Sequence, residues 1–383
     1  MNDSNPGSLK SSVGGVGYNV SMAYKYGLES QGKKGSYRFV SAVGDDFAGH
    51  SILKQINENY HDISGISVQN GKQTAQYSAI LDSDGLLLLA CADMAIMEDV
   101  SLVKHVSKQI ERAQPRFVVV DCNLLSAGLD AVIEACSKQI HRPKIIVEPT
   151  SQPKLARIAG INSRRLSVFP NCNIHMITPT SDELSQIHQS FAMRELFDDY
   201  DYWFPVLDSL GIDSTFRDKM SALAAKNPTM KALMDTGVLQ QSFQLLPYIP
   251  NILVKLGPRG CVLIKLSTSV ADYKSVPTTS AYAPEFTLTS MGREVDGNRL
   301  GVVVQYFPIP SENEDLAIVN VTGAGDSLLG YLSSTLVAED WMSYHIESLE
   351  QEWAKWESIY KSQLASGKSL VSEDAVSREI GQI

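Results

Sequence analysis

Cysteine and basic residues are both scarce in this sequence. Five cysteines are scattered over 383 residues, with no CxxC pair and no Cys/His spacing typical of a zinc site. This pattern favours reduced thiols over a disulfide framework or a structural metal. The 33 lysines and arginines are outnumbered by 43 aspartates and glutamates, so the net charge is −10. An acidic chain of this kind lacks the basic surface of a nucleic-acid-binding protein.

Long apolar segments are also missing. The densest apolar run, residues 86–92, has the length of a strand, well short of the roughly 18 residues that a membrane span requires. The first residues lack the apolar core of a signal peptide. We therefore expect a cytoplasmic protein with no membrane partner. With 44% hydrophobic residues, the chain can build a large core, and we predict one domain over residues 1–383.

The most informative segment is Asn-Val-Thr-Gly-Ala-Gly-Asp at residues 320–326. The pattern predicts a strand over 316–319, a turn of small residues, and a helix from Gly325. A further helix is predicted over residues 341–364. Glycines in such a turn let bare N–H groups converge at a helix N-terminus, which suits phosphate oxygens. Asp326 would be a poor phosphate ligand there but a good proton acceptor. The alternative is an ordinary helix start with an Asp in its first turn.

A second motif, Gly-Gly-Val-Gly-Tyr-Asn at residues 14–19, opens the first predicted helix, a short helix over residues 19–26 that ends at Gly27. Together the two motifs resemble the signatures of the PfkB (ribokinase-like) carbohydrate and nucleoside kinases. The resemblance implies that Asp326 is the catalytic base. It implies an anion hole formed by Gly323, Ala324 and Gly325, and substrate contacts from Gly14, Gly15 and Asn19.

Strand and helix patterns alternate through the middle of the chain. The predicted elements are strand 117–121, helix 126–140, strand 144–147, strand 175–177 and a helix from residue 181. Such alternation predicts an α/β fold with a mostly parallel sheet and helices on both faces. The resemblance makes this a ribokinase-like fold with a small β lid, for which we predict a hairpin of strands 77–81 and 86–91 around the turn 82–85.

Three further segments complete the predicted organisation. Residues 14–100 would hold the substrate-side helix and the lid, residues 190–247 a helical insertion, and residues 316–340 the anion-hole turn with its helix. The PfkB family normally begins with a core strand that bears a sugar-binding Asp. In this sequence the Gly-Gly pair already stands at residue 14, so we expect this first strand to be missing.

The segment from Thr180 to Glu183 has two interpretations. Thr180 followed three residues later by Glu183 has the spacing of a capping box. The family usually has Asn-x-x-Glu at this place, and the resemblance implies that Glu183 helps to hold magnesium and its waters. Both interpretations can hold together, since the start of a helix is what orients the Glu side chain.

Several residues are predicted on the nucleotide side. Residues 252–264 read as two strands joined by a Gly-Pro-Arg-Gly turn, and the resemblance places Gly257 and Gly260 beside ATP; a plain hairpin turn is the alternative. Thr322, before the anion hole, and Ser377, in the C-terminal Ala-Val-Ser segment, are further ATP-side candidates. The predicted cofactors are ATP and Mg²⁺.

Within the family, the chain most resembles the fungal pseudouridine kinases. This similarity lies in residues 74–82, 92–94, 320–322 and 375–377, and it implies phosphorylation of pseudouridine to pseudouridine 5′-phosphate. It also implies a functional link to a pseudouridine-5′-phosphate glycosidase, and a homodimer is a further expectation. The alternatives are a kinase for ribose or adenosine, a catalytically idle protein of the same fold, and a dinucleotide oxidoreductase, for which the GxGxxG fingerprint is missing.

Overall fold

The computed structural model describes residues 11–59, 62–81, 87–162, 166–295 and 298–383. The strands are β1 Ser41–Gly44, β2 Ile66–Gln69, β3 Gln76–Leu81, β4 Leu87–Asp93, β5 Phe117–Asp121, β6 Lys144–Glu148, β7 Met176–Ile177, β8 Asn251–Lys255, β9 Cys261–Ser267, β10 Phe286–Thr289, β11 Glu294–Val295, β12 Asn298–Arg299 and β13 Gly301–Phe307. The helices are α1 Val16–Ser30, α2 Phe47–Glu58, α3 Val100–Ala113, α4 Ser126–Ser137, α5 Ala156–Ala159, α6 Ser181–Met193, α7 Trp203–Ser209, α8 Ser214–Ala224, α9 Pro228–Asp235, α10 Val238–Leu245, α11 Ala324–Leu336 and α12 Leu349–Leu370.

A seven-stranded sheet in the order β10-β13-β9-β8-β7-β6-β5 forms the centre of the described chain. Strands β5 to β8 are mutually parallel, whereas β9 and β10 run against their neighbours. Five of the seven strands therefore run in one direction. Strands β9 and β13 are buried over their whole length, as expected for a sheet that is covered on both faces. The predicted α/β architecture is confirmed.

Strand β6 shows how the two faces are covered. Its side chains alternate across the sheet, as in any strand. Ile146 belongs to a cluster with Leu329 of α11 and Trp356 of α12. Val147 belongs to a second cluster on the opposite face, which contains Leu184 of α6. Residues 190–247, predicted as a helical insertion, form the end of α6 and then α7 to α10.

Small two-stranded sheets flank the central one. Strands β1 and β2 pair in parallel, and β3 and β4 form the antiparallel ribbon expected for the lid. The turn at residues 82–85 and the predicted first residue of the second strand, Leu86, lie outside the described residues. The described residues 11–15 form no strand, and the expected loss of the family's first strand stays a prediction. In the parts of the chain that the structure describes, no helix is long and apolar enough to cross a membrane.

Helices α1 and α11 approach each other through glycines. The sequence predicted that Gly27 ends the first helix, but α1 continues to Ser30. A Cβ atom on Gly27 would lie 2.4 Å from the Ser334 hydroxyl, and one on Gly330 would lie 2.5 Å from the Val20 carbonyl oxygen. These glycines therefore permit close helix packing, which outweighs their low helix propensity.

Two predicted elements around the glycine turn were wrong. Residues 316–319 form no strand; Ile318 is exposed, and the amides of Val319 and Asn320 donate to the Leu370 carbonyl at the end of α12. This apolar run thus borders a helix end rather than a sheet edge. The helix predicted from Trp341 begins only at Leu349, where the Ser348 side chain caps it by accepting from the Gln351 amide; Trp341 is buried in the connection before it.

Candidate active site

The carboxyl ends of β5, β6 and β8 bring charged side chains to one edge of the sheet. Asp121, Glu148 and Lys255 are the last residues of these three strands. In open α/β sheets this edge is where ligands bind. The N-terminus of α11 and the α1 residue Asn19 complete the site.

The turn before α11 depends on Gly323. Its φ of +82° lies in the left-handed region, and it is the residue immediately before the helix. A Cβ atom there would lie only 2.1 Å from the Ala375 carbonyl oxygen, so no other residue fits without moving the turn. Helix α11 begins at Ala324, one residue before the predicted start. The amides of its first turn, which have no partner within the helix, can therefore face an anion.

Asp326 lies in this first turn and contacts the other predicted motif. The Asn19 side-chain amide donates a 2.7 Å hydrogen bond to its Oδ2 atom. Burial raises the pKa of Asp326 to about 6, against the lowering effects of Asn19 and of the Lys255 ammonium. A carboxylate with this pKa is suited to accept a proton near neutral pH. The structure thus brings together Asp326, the predicted base, and Asn19, a predicted substrate-side residue.

A buried ion pair that the sequence analysis missed lies next to this turn. Lys255 Nζ is 2.6 Å from Glu148 Oε1, and the two side chains are only 14% and 5% exposed. The Thr178 hydroxyl donates to the other Glu148 oxygen. Burial raises the pKa of Glu148, which Lys255 opposes; the pKa of Lys255 is raised by its carboxylate neighbours despite burial. The sequence feature that could have indicated this pair is a charged residue directly after three apolar strand residues, at Glu148 and again at Lys255.

Thr180 and Glu183 form the capping box that their spacing predicted. The Thr180 amide donates to Glu183 Oε2 at 2.8 Å, and the Glu183 amide donates to Thr180 Oγ1 at 3.2 Å. The Glu183 carboxylate lies close enough to Lys255 and Asp326 to influence the pKa values of both. The structure accordingly places Glu183 at the edge of the site.

Glu183 is the predicted magnesium ligand among these residues. Within the described ranges, no three His, Cys, Asp or Glu side chains are grouped to hold an ion. Mg²⁺ is usually bound by one or two carboxylates together with phosphate oxygens and water. Glu183 offers one carboxylate near the glycine turn, and its role toward magnesium remains a prediction.

The two N-terminal glycines line open space. Gly15 has a φ of +102° and precedes α1, and Cβ atoms on Gly14 or Gly15 would meet nothing within 4 Å. The backbone at this point is therefore accessible to a ligand. Contact between these glycines and a sugar remains a prediction.

The predicted nucleotide-side residues differ in their surroundings. Gly257, with a φ of +60°, borders open space, whereas a Cβ atom on Gly260 would lie 2.2 Å from the Phe307 carbonyl oxygen. Gly260 is therefore required by packing, whatever its role toward ATP. Thr322 is exposed. The Ser377 hydroxyl accepts from the Glu379 amide, which caps the last helical turn, so its role toward ATP also remains a prediction.

Comparisons with known proteins identify relatives of this chain. A family model described as pfkB family carbohydrate kinase matches residues 2–189. The chain is 29% identical over 381 residues to a pseudouridine-metabolizing bifunctional protein of Schizosaccharomyces pombe, covering 99% of this chain and 44% of that protein. It is 31% identical over 172 residues to the pseudouridine kinase of Escherichia coli, covering 44% of this chain and 51% of that enzyme. The chain thus spans about half the length of these relatives.

Solved structures show the same fold. Giardia lamblia ribokinase matches with a TM-score of 0.60 at 17% identity, covering 100% of this chain and 90% of that one. Ribokinase from Cryptococcus neoformans, solved with ADP, matches with a TM-score of 0.53 at 14% identity over 99% of this chain and 90% of that one. The fold is therefore ribokinase-like.

Proposed function

We propose that this chain, whose residues 2–189 match the family model described as pfkB family carbohydrate kinase, transfers a phosphoryl group from ATP to a hydroxyl of a sugar or nucleoside. One observation carries the proposal: Asp326 lies in the first turn of α11 and is hydrogen-bonded to Asn19 of α1. This places a carboxylate that can accept a proton beside amides that can hold phosphate oxygens.

The proposed reaction follows from these groups. The acceptor hydroxyl gives its proton to Asp326 while its oxygen forms a bond to the γ-phosphorus, and the bond from that phosphorus to the β-phosphate oxygen breaks to release ADP. The amides of Gly323, Ala324 and Gly325 would stabilise the negative charge on the transferring group. Magnesium, held in part by Glu183, would neutralise phosphate charge.

Pseudouridine is the proposed acceptor, and its 5′-hydroxyl the proposed reacting group. Support comes from the two relatives named for pseudouridine metabolism and from the sequence segments similar to fungal pseudouridine kinases. Gly14, Gly15 and Asn19 would contact the sugar, Gly257, Gly260, Thr322 and Ser377 the nucleotide, and the β3–β4 ribbon would close over the site to exclude water. We further propose a cytoplasmic homodimer that works together with a pseudouridine-5′-phosphate glycosidase.

An acceptor panel tests the substrate. With Mg-ATP, kcat/KM is expected to be highest for pseudouridine among pseudouridine, uridine, adenosine, ribose and fructose phosphates, and the product is expected to carry phosphate on its 5′-oxygen. Phosphoryl transfer measured by product NMR distinguishes the acceptors. Faster turnover of adenosine or ribose would replace the proposed substrate, and no turnover of any acceptor would favour a catalytically idle protein.

The pH dependence tests the base. Asp326 must be ionised to accept a proton, and burial raises its pKa to about 6. We therefore expect kcat/KM to be constant above neutral pH and to fall as the pH drops through about 6. The measurement is a kcat/KM profile from pH 5 to 8 at fixed free Mg²⁺. A profile that stays flat to pH 5 would contradict the assignment of Asp326.

A further inference from the structure

The candidate site concentrates negative charge around Asp326. The carboxylates of Asp121 at the end of β5, Glu148 at the end of β6 and Glu183 in the first turn of α6 all interact electrostatically with Asp326. Asn19 of α1 is uncharged, and α12 presents hydroxyl groups to this part of α11, with Ser366 donating to the Ala324 carbonyl. A buried carboxylate among other carboxylates tends to take up a proton, and a protonated Asp326 could not act as a base.

Lys255 is the cation that opposes this tendency at Asp326. It lies against the glycine turn: a Cβ atom built on Gly325, the residue preceding Asp326, would be 3.1 Å from the Lys255 ammonium nitrogen. Lys255 Nζ also donates a 2.6 Å hydrogen bond to Glu148 Oε1. Glu148 is itself fixed by the Thr178 hydroxyl. The ammonium therefore has a defined position beside the turn.

We propose that Lys255 and Glu148 are positioning residues: the Lys255 ammonium supplies the counter-charge that keeps Asp326 ionised at neutral pH, and Glu148 fixes the position of that ammonium. Lys255 provides the positive charge, and Glu148 holds it against the turn. The inference rests on the proposed function, because it assumes that Asp326 must be ionised to accept the proton of the acceptor hydroxyl. Both residues act through Asp326 and need not touch the acceptor.

The two members of the pair are expected to have opposite effects. Lys255→Met removes the positive charge and leaves the Glu148 carboxylate, so the pKa of Asp326 should rise, by at least about one unit for a close opposite charge. Glu148→Gln removes a negative charge and retains the ammonium, so the pKa of Asp326 should fall. A purely structural ion pair gives no reason for shifts of opposite sign.

The titration of Asp326 can be measured without catalysis. The full chain would be labelled with ¹³Cγ-aspartate, and the Asp326 signal assigned by its loss in Asp326→Asn. The NMR midpoint is expected to be near pH 6 in the unsubstituted protein, higher in Lys255→Met and lower in Glu148→Gln. In the double variant, the midpoint should lie between the midpoints of the two single variants. The double variant leaves no unpaired buried charge and is therefore expected to be the most stable of the three. Equal midpoints in all four proteins would overturn the proposal.

A second buried ion pair provides a matched control. Lys355 and Glu352 of α12 are 2.6 Å apart and 1% and 4% exposed. Lys355 precedes Ser366, which contacts the α11 start, by 11 residues, or about 16 Å along the helix. Lys355→Met should lower the melting temperature, as breaking a buried pair does, without moving the Asp326 midpoint. A comparable shift in this control would mean that the effect of Lys255 is not local, and would also overturn the proposal.

The kinetic profile separates this inference from the proposed function. The acidic limb of kcat/KM should move with the NMR midpoint, upward in Lys255→Met and downward in Glu148→Gln. If the midpoints shift as expected but no acceptor is phosphorylated, the ion pair still tunes Asp326 and the proposed function fails. If the enzyme is active and neither midpoint nor limb moves, the function stands and the ion-pair proposal fails.

Discussion

Replacing Asp326 by Asn is expected to reduce kcat by at least about 10²-fold while leaving ATP binding nearly unchanged. Asn has almost the same shape, so the turn from Gly323 and the first amides of α11 should persist. Those amides, rather than the carboxylate, would hold the phosphates. The substitution removes the basic oxygen that takes the proton. ATP affinity by calorimetry, melting temperature and kcat, measured on the same preparations, test this expectation.

The alternative role of Asp326 predicts the reverse result. If it merely stabilised the start of α11, Asp326→Asn would lower the melting temperature and change kcat little. Asp235→Asn is a suitable control, because Asp235 is exposed and forms a surface ion pair with Lys231. It should leave both quantities unchanged. A fall in kcat of less than about tenfold with an intact fold would exclude Asp326 as the base.

Replacing Gly323 by Ala is expected to impair the anion-binding turn itself. The new Cβ atom would meet the Ala375 carbonyl oxygen at 2.1 Å, and φ is +82°. The turn must move, which misaligns the amides of α11. Loss of one such donor typically costs about 10²–10³-fold in kcat, and we expect a decrease of this order together with weaker ATP binding. Steady-state kinetics and ATP calorimetry measure the two effects.

Gly32→Ala provides the control for backbone strain. Gly32 also has a positive φ, +60°, but a Cβ atom there meets nothing within 4 Å. This variant should lose about 1–2 kcal/mol of unfolding free energy and keep its activity. If both variants lose stability equally and both stay active, the Ala375 contact does not define the turn, and the expectation for Gly323 is wrong.

The elements predicted most accurately are those whose signal is local. Strand β5 has the predicted bounds, because an apolar run of strand length is bounded there by polar residues. The capping box at Thr180 and Glu183 was predictable for the same reason, since its hydrogen bonds join residues three apart. The glycine turn and its Asp were also predictable, because positive φ and helix-start chemistry restrict the residues allowed.

The features that could not be predicted depend on contacts distant in sequence. The apolar pattern of residues 316–319 predicted a strand, but Ile318 and Val319 are exposed and the backbone of this run bonds to the end of α12. Gly27 looked like a helix end because its packing partner, Ser334, lies in α11. The Glu148–Lys255 pair joins residues 107 apart, so neither charge alone suggested a buried position.

The contact between α1 and α11 also has a consequence for how the protein is made. Asn19 and Asp326 are 307 residues apart, so a ribosome that adds about 5–20 residues per second needs about 15–60 s to synthesise the second after the first. During that interval the apolar side chains of α1, such as Val20 and Met22, have no α11 to cover them. The helix emerges first but finds its partner late, and in that period it is accessible to chaperones and to other nascent chains.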